Sequence, residues 1–162
     1  MSRLALLINQ IGSSRRYTEN LIATIDPADW YRMPGGVSHI CWQVGHLAMA
    51  EYRLAIQRIR GRREGDDAII PEPVLGAFGR GSVPSADGPA PEEIRAIFDR
   101  VHERTMAELA GLPESALDEP PEVPHPLCAT KGDALSWCSR HEMIHAGQIA
   151  LLRRLLGGAP LW

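Results

Sequence analysis

His141 and His145 stand four residues apart in HEMIHAGQIALLRRLLGG, residues 141–158. On a helix that spacing stacks two imidazoles on one face, where they can share one divalent cation. With Glu142 between them they spell the zinc helix of a metallopeptidase, in which the glutamate is the general base. Such a site needs a third protein ligand and keeps one coordination position open. After His145 the chain reads AGQIALLRRLLGGAPLW, with no histidine, aspartate, glutamate or cysteine. Forms of the motif that take their third ligand downstream are therefore excluded. Glu142 also lies about 100° around the helix from His141, so a peptidase is not the expected reading.

A third ligand must come from upstream, where His39, His46, His102 and His125 are the candidates. His46 is the best placed, because it falls on an apolar stripe with Trp42, Met49 and Ile56. An imidazole buried there is costly unless a hydrogen bond or a metal engages its nitrogens. His39 sits near a helix start, where a cap or loop role fits. His102 is about 100° off the apolar Val101 and reads as helix surface, and His125 lies in a proline loop.

Other side chains fall around the same positions. Gln148, three residues after His145, is open to two roles: orienting a bound water or substrate, or packing as an amide at a bundle seam. Glu142 either hydrogen-bonds an imidazole, carries a proton, or faces solvent. Cys138, three residues before His141, is either a neighbour of the site or a buried thiol acting as a small hydrophobe. Trp42 and Trp137 suit the bundle interior or a pocket mouth. Gly45 and Gly147, close to the histidines, permit close helix approach or leave space for the ion's free position, at about 1 kcal/mol of helix propensity each. Trp162 fits a dimer contact or a tail.

These residues need helices to position them, and four are expected. Residues 2–24 place Leu4, Leu7, Ile11 and Leu21 at helical steps before Asp26 and Pro27. Ile40 to Arg60 is the second run. Residues 61–90 carry so many glycines and prolines that a long regular element is excluded, which makes this segment a crossover. A third helix starts at Pro91, with Glu92 and Glu93 at the positive end of its dipole, and closes at Gly111. The proline-rich 112–129 connection follows. Thr130 and Asp133 resemble a capping arrangement that opens the fourth helix, running to Leu156. Four helices of about 20 residues and no convincing strand predict an all-α, four-helix bundle.

The 162 residues suit a single domain over 1–162. A formal charge of -3 gives no reason to expect nucleic acid or an anionic membrane as partner. The basic runs RIRGRR at 58–63 and LRR at 152–154 read as helix-end cations in solvent. Three cysteines without a CxxC pair, no cleavage pattern after the first apolar run and no window of eighteen apolar residues predict a cytoplasmic, non-membrane chain.

The segments GGVSHICWQVGHLAMAEYRLAI (35–56) and HEMIHAGQIALLRRLLG (141–157) resemble the DinB-like superfamily, the DinB/YfiT-like metalloenzymes. The W-x-x-G-H-L-x-x-x-E and H-E-x-x-H-x-G-Q-I-x-x-L-R-R patterns carry the likeness. It implies an up-down-down-up bundle with a long crossover between helices two and three. A divalent metal, nickel or zinc, is implied on His46, His141 and His145, and a homodimer is expected. Relatives include transferases of low-molecular-weight thiols such as mycothiol or bacillithiol and a thiol-dependent maleylpyruvate isomerase. The implied function is therefore a metal-dependent enzyme with a small-molecule substrate, transfer of a small thiol being the favoured reaction. A metal-dependent hydrolase and a non-catalytic metal- or ligand-binding bundle are the alternatives.

Overall fold

The computed structural model of the chain describes residues 1–159; Trp162 lies outside them. Helix α1 (Arg3–Ile22) opens on Ser2, whose hydroxyl accepts from the Ala5 amide at 3.1 Å. Helix α2 (Ile40–Glu51) opens on His39, whose Nδ1 accepts from the Trp42 amide at 3.1 Å. It continues through a wide π turn (Tyr52–Gln57) and a last turn (Arg58–Arg60), and ends at Gly61 with φ 76°. The crossover that follows holds a short helix, α3 (Glu72–Ala77), where the glycine and proline density predicts no long regular element. Helices α4 (Pro91–Ala110) and α5 (Lys131–Leu155) complete the bundle. The Thr130–Asp133 pair forms a complete capping box at the start of α5, each side chain accepting from the other residue's backbone N–H.

Cross-helix contacts give the directions. Arg3 meets Asp118 in the connection that leads to α5, Arg15 meets Glu142, and Arg153 meets Thr24, so α1 and α5 run parallel. Glu51 meets His102 and Arg60 meets Glu108, so α2 and α4 run parallel across the long crossover. Gln43 meets His145 and His46 meets His141, which sets α2 antiparallel to α5. Arg15 meets Phe98 and Glu19 meets Arg95, which sets α1 antiparallel to α4. The result is an all-α, up-down-down-up bundle of four long helices. None of the helices of the described residues is long and apolar enough to cross a membrane.

The apolar interior is split in two. Leu21, Val44, Ile94, Phe98 and Ile149 belong to the larger cluster, and Ile11, Leu54, Leu109, Leu135 and Cys138 to the smaller. Along every long helix the residues at the seam are polar: Arg15 on α1, Glu51 on α2, His102 on α4 and Glu142 on α5. Arg15 donates to Glu142 at 2.9 Å, to the Phe98 carbonyl at 2.9 Å and to Glu51, and its guanidinium lies over the Phe98 ring. His102 completes the layer through Glu51 at 2.8 Å. Burial alone would raise Glu51, but Arg15 and His102 outweigh it and hold its carboxyl below the usual range. At Glu142 burial prevails over Arg15 and raises the carboxyl.

Candidate metal centre

His46, His141 and His145 converge where α2 passes α5. One ring nitrogen from each lies within 4.8 Å of the others, and the Nε2 atoms of His46 and His141 are 3.4 Å apart. Two nitrogens bound tetrahedrally to zinc at about 2.05 Å would be about 3.3 Å apart, so the donor set matches a divalent ion without large rearrangement. The far side of two rings is tied down. His46 Nδ1 donates to the Phe78 carbonyl at 2.8 Å, and His145 Nδ1 donates to Gln43 Oε1 at 2.7 Å. A carbonyl oxygen accepts only, so each Nδ1 carries the proton and each Nε2 keeps its lone pair toward the centre. The Gln43 amide is anchored in turn, its Nε2 donating to Ser38 Oγ at 2.9 Å.

All three imidazoles are poised neutral. Burial lowers His46, helped by the Arg53 cation. Burial and the neighbouring imidazoles bring His141 down to about 4 and His145 to about 3. A neutral imidazole is the form that ligates metal.

Local sequence explains the convergence. Gly45 has no Cβ, and one placed there would fall 2.7 Å from the Phe78 ring. The missing side chain lets Phe78 press onto α2 here, which brings its carbonyl to His46. Trp42 stacks on the His46 ring with centroids 4.8 Å apart and planes 12° from parallel, and its Nε1 donates to Ser82. The three imidazoles open onto a cavity of about 580 Å³ whose walls include Trp42, Met49, Leu54 and Trp137.

The remaining sequence candidates are sorted by this geometry. Glu142 is buried against Arg15 and faces the polar layer rather than an imidazole, which removes the base of a peptidase site. Gln148 is exposed and lines none of the cavity; the amide beside the imidazoles is Gln43. Cys138 packs in the smaller apolar cluster, where burial raises its thiol well above the ordinary range. His39 has both nitrogens engaged, by the Trp42 amide and the Ser85 carbonyl. His102, expected at the surface, is the partner of Glu51. His125 lines the cavity, its Nδ1 accepting from the Leu127 amide at 3.2 Å. Gly147 has nothing near its missing side chain, so the close-approach argument holds at Gly45 alone.

The sequence model of the DinB superfamily matches residues 10–149. The chain belongs to the DinB superfamily. The match covers the helix-two segment, the crossover and the second segment through residue 149, so all three histidines fall inside it. No curated protein matches this DinB-superfamily chain. Gln43 and Phe78 escaped the sequence reading for different reasons. Gln43 lies inside the matched helix-two motif, three residues before His46, and is legible only once α5 is packed beside it. Phe78 acts through its backbone, which side-chain spacing does not report.

Proposed function

We propose that this protein is a metal-dependent enzyme in which His46, His141 and His145 hold one divalent ion, nickel or zinc. Its reaction is the transfer of a low-molecular-weight thiol to an electrophile. One observation carries the choice of reaction. Among the described residues no cysteine, aspartate or glutamate lines the cavity beside the imidazoles, and the hydroxyl of Ser82 there is engaged by Trp42 Nε1, which favours a nucleophile that arrives with the substrates. A bound divalent ion supplies Lewis acidity, lowering the pKa of a thiol that shares its site. A thiol begins near pKa 8.5, far closer to neutrality than water, and needs less help from a protein base. Hydrolysis is disfavoured on the same ground, because the one glutamate in the zinc-helix motif is held by Arg15.

The chain's own groups have definable tasks. Phe78 and Gln43 fix two imidazoles by accepting their Nδ1 protons. Trp42 and Trp137 offer flat apolar surface for the body of a substrate and exclude water beside it. His125, whose Nδ1 is occupied as an acceptor, carries its proton on Nε2 and supplies a donor in the cavity wall.

Metal analysis of untagged protein, with His46→Ala, His141→Ala and His145→Ala beside it, tests the centre. Near-stoichiometric metal in the wild type and its loss in each variant is the expected result. Equal and negligible metal in wild type and His46→Ala would end the proposal. Turnover screening with cellular thiols and electrophiles, before and after chelation, tests the reaction. Chelation-insensitive activity, or ester or amide hydrolysis in place of thiol consumption, would refute thiol transfer.

A further inference from the structure

Three arginines, Arg53, Arg58 and Arg80, reach the cavity that the histidines open onto, and among the described residues no aspartate or glutamate shares its walls. By its sequence alone the run from Arg58 to Arg63 belongs at a solvated helix end. The π turn changes that for Arg58. There the Arg58 amide reaches back five residues to the Arg53 carbonyl, so Arg58, rather than Gln57, follows Arg53 along the cavity face. In an unbroken α-helix the residue four after Arg53 would take that place.

The neighbouring arginines behave differently. Arg60 is paired with Asp66 and Glu108, and Arg62 with Asp67 and Glu72. Among the described residues Arg53 and Arg58 have backbone carbonyls as their hydrogen-bond partners, Leu75 and Arg53 respectively, and no carboxylate. Arg58 Nε is buried without any partner. A buried donor on a cation is expensive to leave unpaired. Among the described residues Arg53 and Arg58 thus line the cavity without a carboxylate partner, and Arg58 keeps one N–H that no acceptor satisfies.

We propose that the cavity takes an anionic substrate, whose carboxylate or other oxyanion is held by Arg53 and Arg58 with Arg80 at the exposed rim. Its apolar body lies on Trp42 and Trp137, which leaves its reacting end toward the imidazoles. The guanidinium fork matches the planar oxygens of a carboxylate and the tetrahedral oxygens of a phosphate alike. The inference rests on the reading of this cavity as the reaction site, but its recognition step needs no metal.

The test uses metal-free protein, prepared over chelating resin so that no soluble polycarboxylate competes. Calorimetric titration compares benzoate and phenyl phosphate with benzamide, the neutral isostere of benzoate. At least one anion should bind about tenfold more tightly than benzamide. That preference should weaken in high salt and be lost in Arg58→Gln and Arg53→Gln, while Arg58→Lys keeps part of it. Which anion wins identifies the oxyanion. Arg80→Gln, at an exposed position, should reduce the preference by a few-fold and provides a variant whose folding is not in question. Benzamide binding as well as the anions, binding of none of the three, or a preference untouched by all the glutamine variants would overturn the proposal. Measuring metal content separately distinguishes the two readings. A discriminating but metal-less protein loses the metal reading and keeps the anion subsite, and a metal-loaded protein blind to charge does the reverse.

Discussion

Phe78 meets His46 through its backbone and Gly45 through its ring. The carbonyl accepts from His46 Nδ1 at 2.8 Å, and the ring occupies the space that a β-carbon on the preceding residue would need. One phenylalanine thus couples helix packing to the orientation of an imidazole. Gly45→Ala forces the ring and its carbonyl away together. We expect a loss of about 1–3 kcal/mol of stability from overpacking, with weaker metal binding by about tenfold. Pairing the change with Phe78→Leu should restore stability. Thermal unfolding of metal-free protein and metal titration measure the two effects; an alanine variant normal in both would show that the contact is not constraining.

Gln43 stands in the same relation to His145. Its carbonyl oxygen fixes the tautomer, and its amide is anchored in turn by Ser38. Gln43→Ala leaves a buried N–H without an acceptor, and metal affinity should fall by about 10–100-fold. Gln43→Glu keeps an acceptor in place and should retain most of the affinity. Competition titration with a chromophoric chelator reads both. Indistinguishable affinities in all three proteins would mean that His145 is oriented by packing alone.

How far the site was legible follows from which interactions spacing can report. His141 and His145 announce themselves by their four-residue separation, and His46 by interrupting an apolar stripe. Helix limits came close because caps are local: the Thr130–Asp133 box and the charge at the start of α4 are readable within a single turn. The roles of Glu142, Gln148 and His102 depend instead on which neighbour each helix face meets. Glu142 turned inward because Arg15, a residue unremarkable in sequence, is buried 127 positions away. The π turn was hidden for another reason. YRLAIQ has ordinary helical composition, and nothing local marks the extra residue that carries Arg58 into the cavity.

Arg15 illustrates the energetic consequence of that hidden layer. Its side chain is 1% exposed and serves two buried carboxylates, so removing the cation leaves negative charge in an apolar interior. Arg15→Met should cost about 3–5 kcal/mol. Adding Glu51→Gln and Glu142→Gln removes the stranded charges, and more than half of the loss should return. Urea unfolding of the single and triple variants compares them. A single variant as stable as wild type would show that the carboxylates find another counter-charge or water.

Asp66 provides the pH dependence with the clearest sign. It accepts from Arg60 at 2.7 and 2.9 Å, from the Tyr52 hydroxyl at 2.9 Å and from the Arg63 amide at 3.0 Å. Burial pushes its carboxyl up, yet these donors overcome burial and hold it down at about 2, from an ordinary 3.8. As the pH falls, the unfolded chain takes up this proton before the folded one does. Asp66 therefore adds stability that is fully present above its unfolded pKa of 3.8 and lost as the pH falls through about 2. At roughly 1.4 kcal/mol per pKa unit its share is on the order of 2–3 kcal/mol. Asp66→Asn should be less stable at neutral pH and should show a shallower decline on acidification, by up to one proton, in denaturant unfolding across that range. Parallel stability profiles for variant and wild type would mean that Asp66 titrates alike in both states and that its four donors contribute nothing specific to the ionised form.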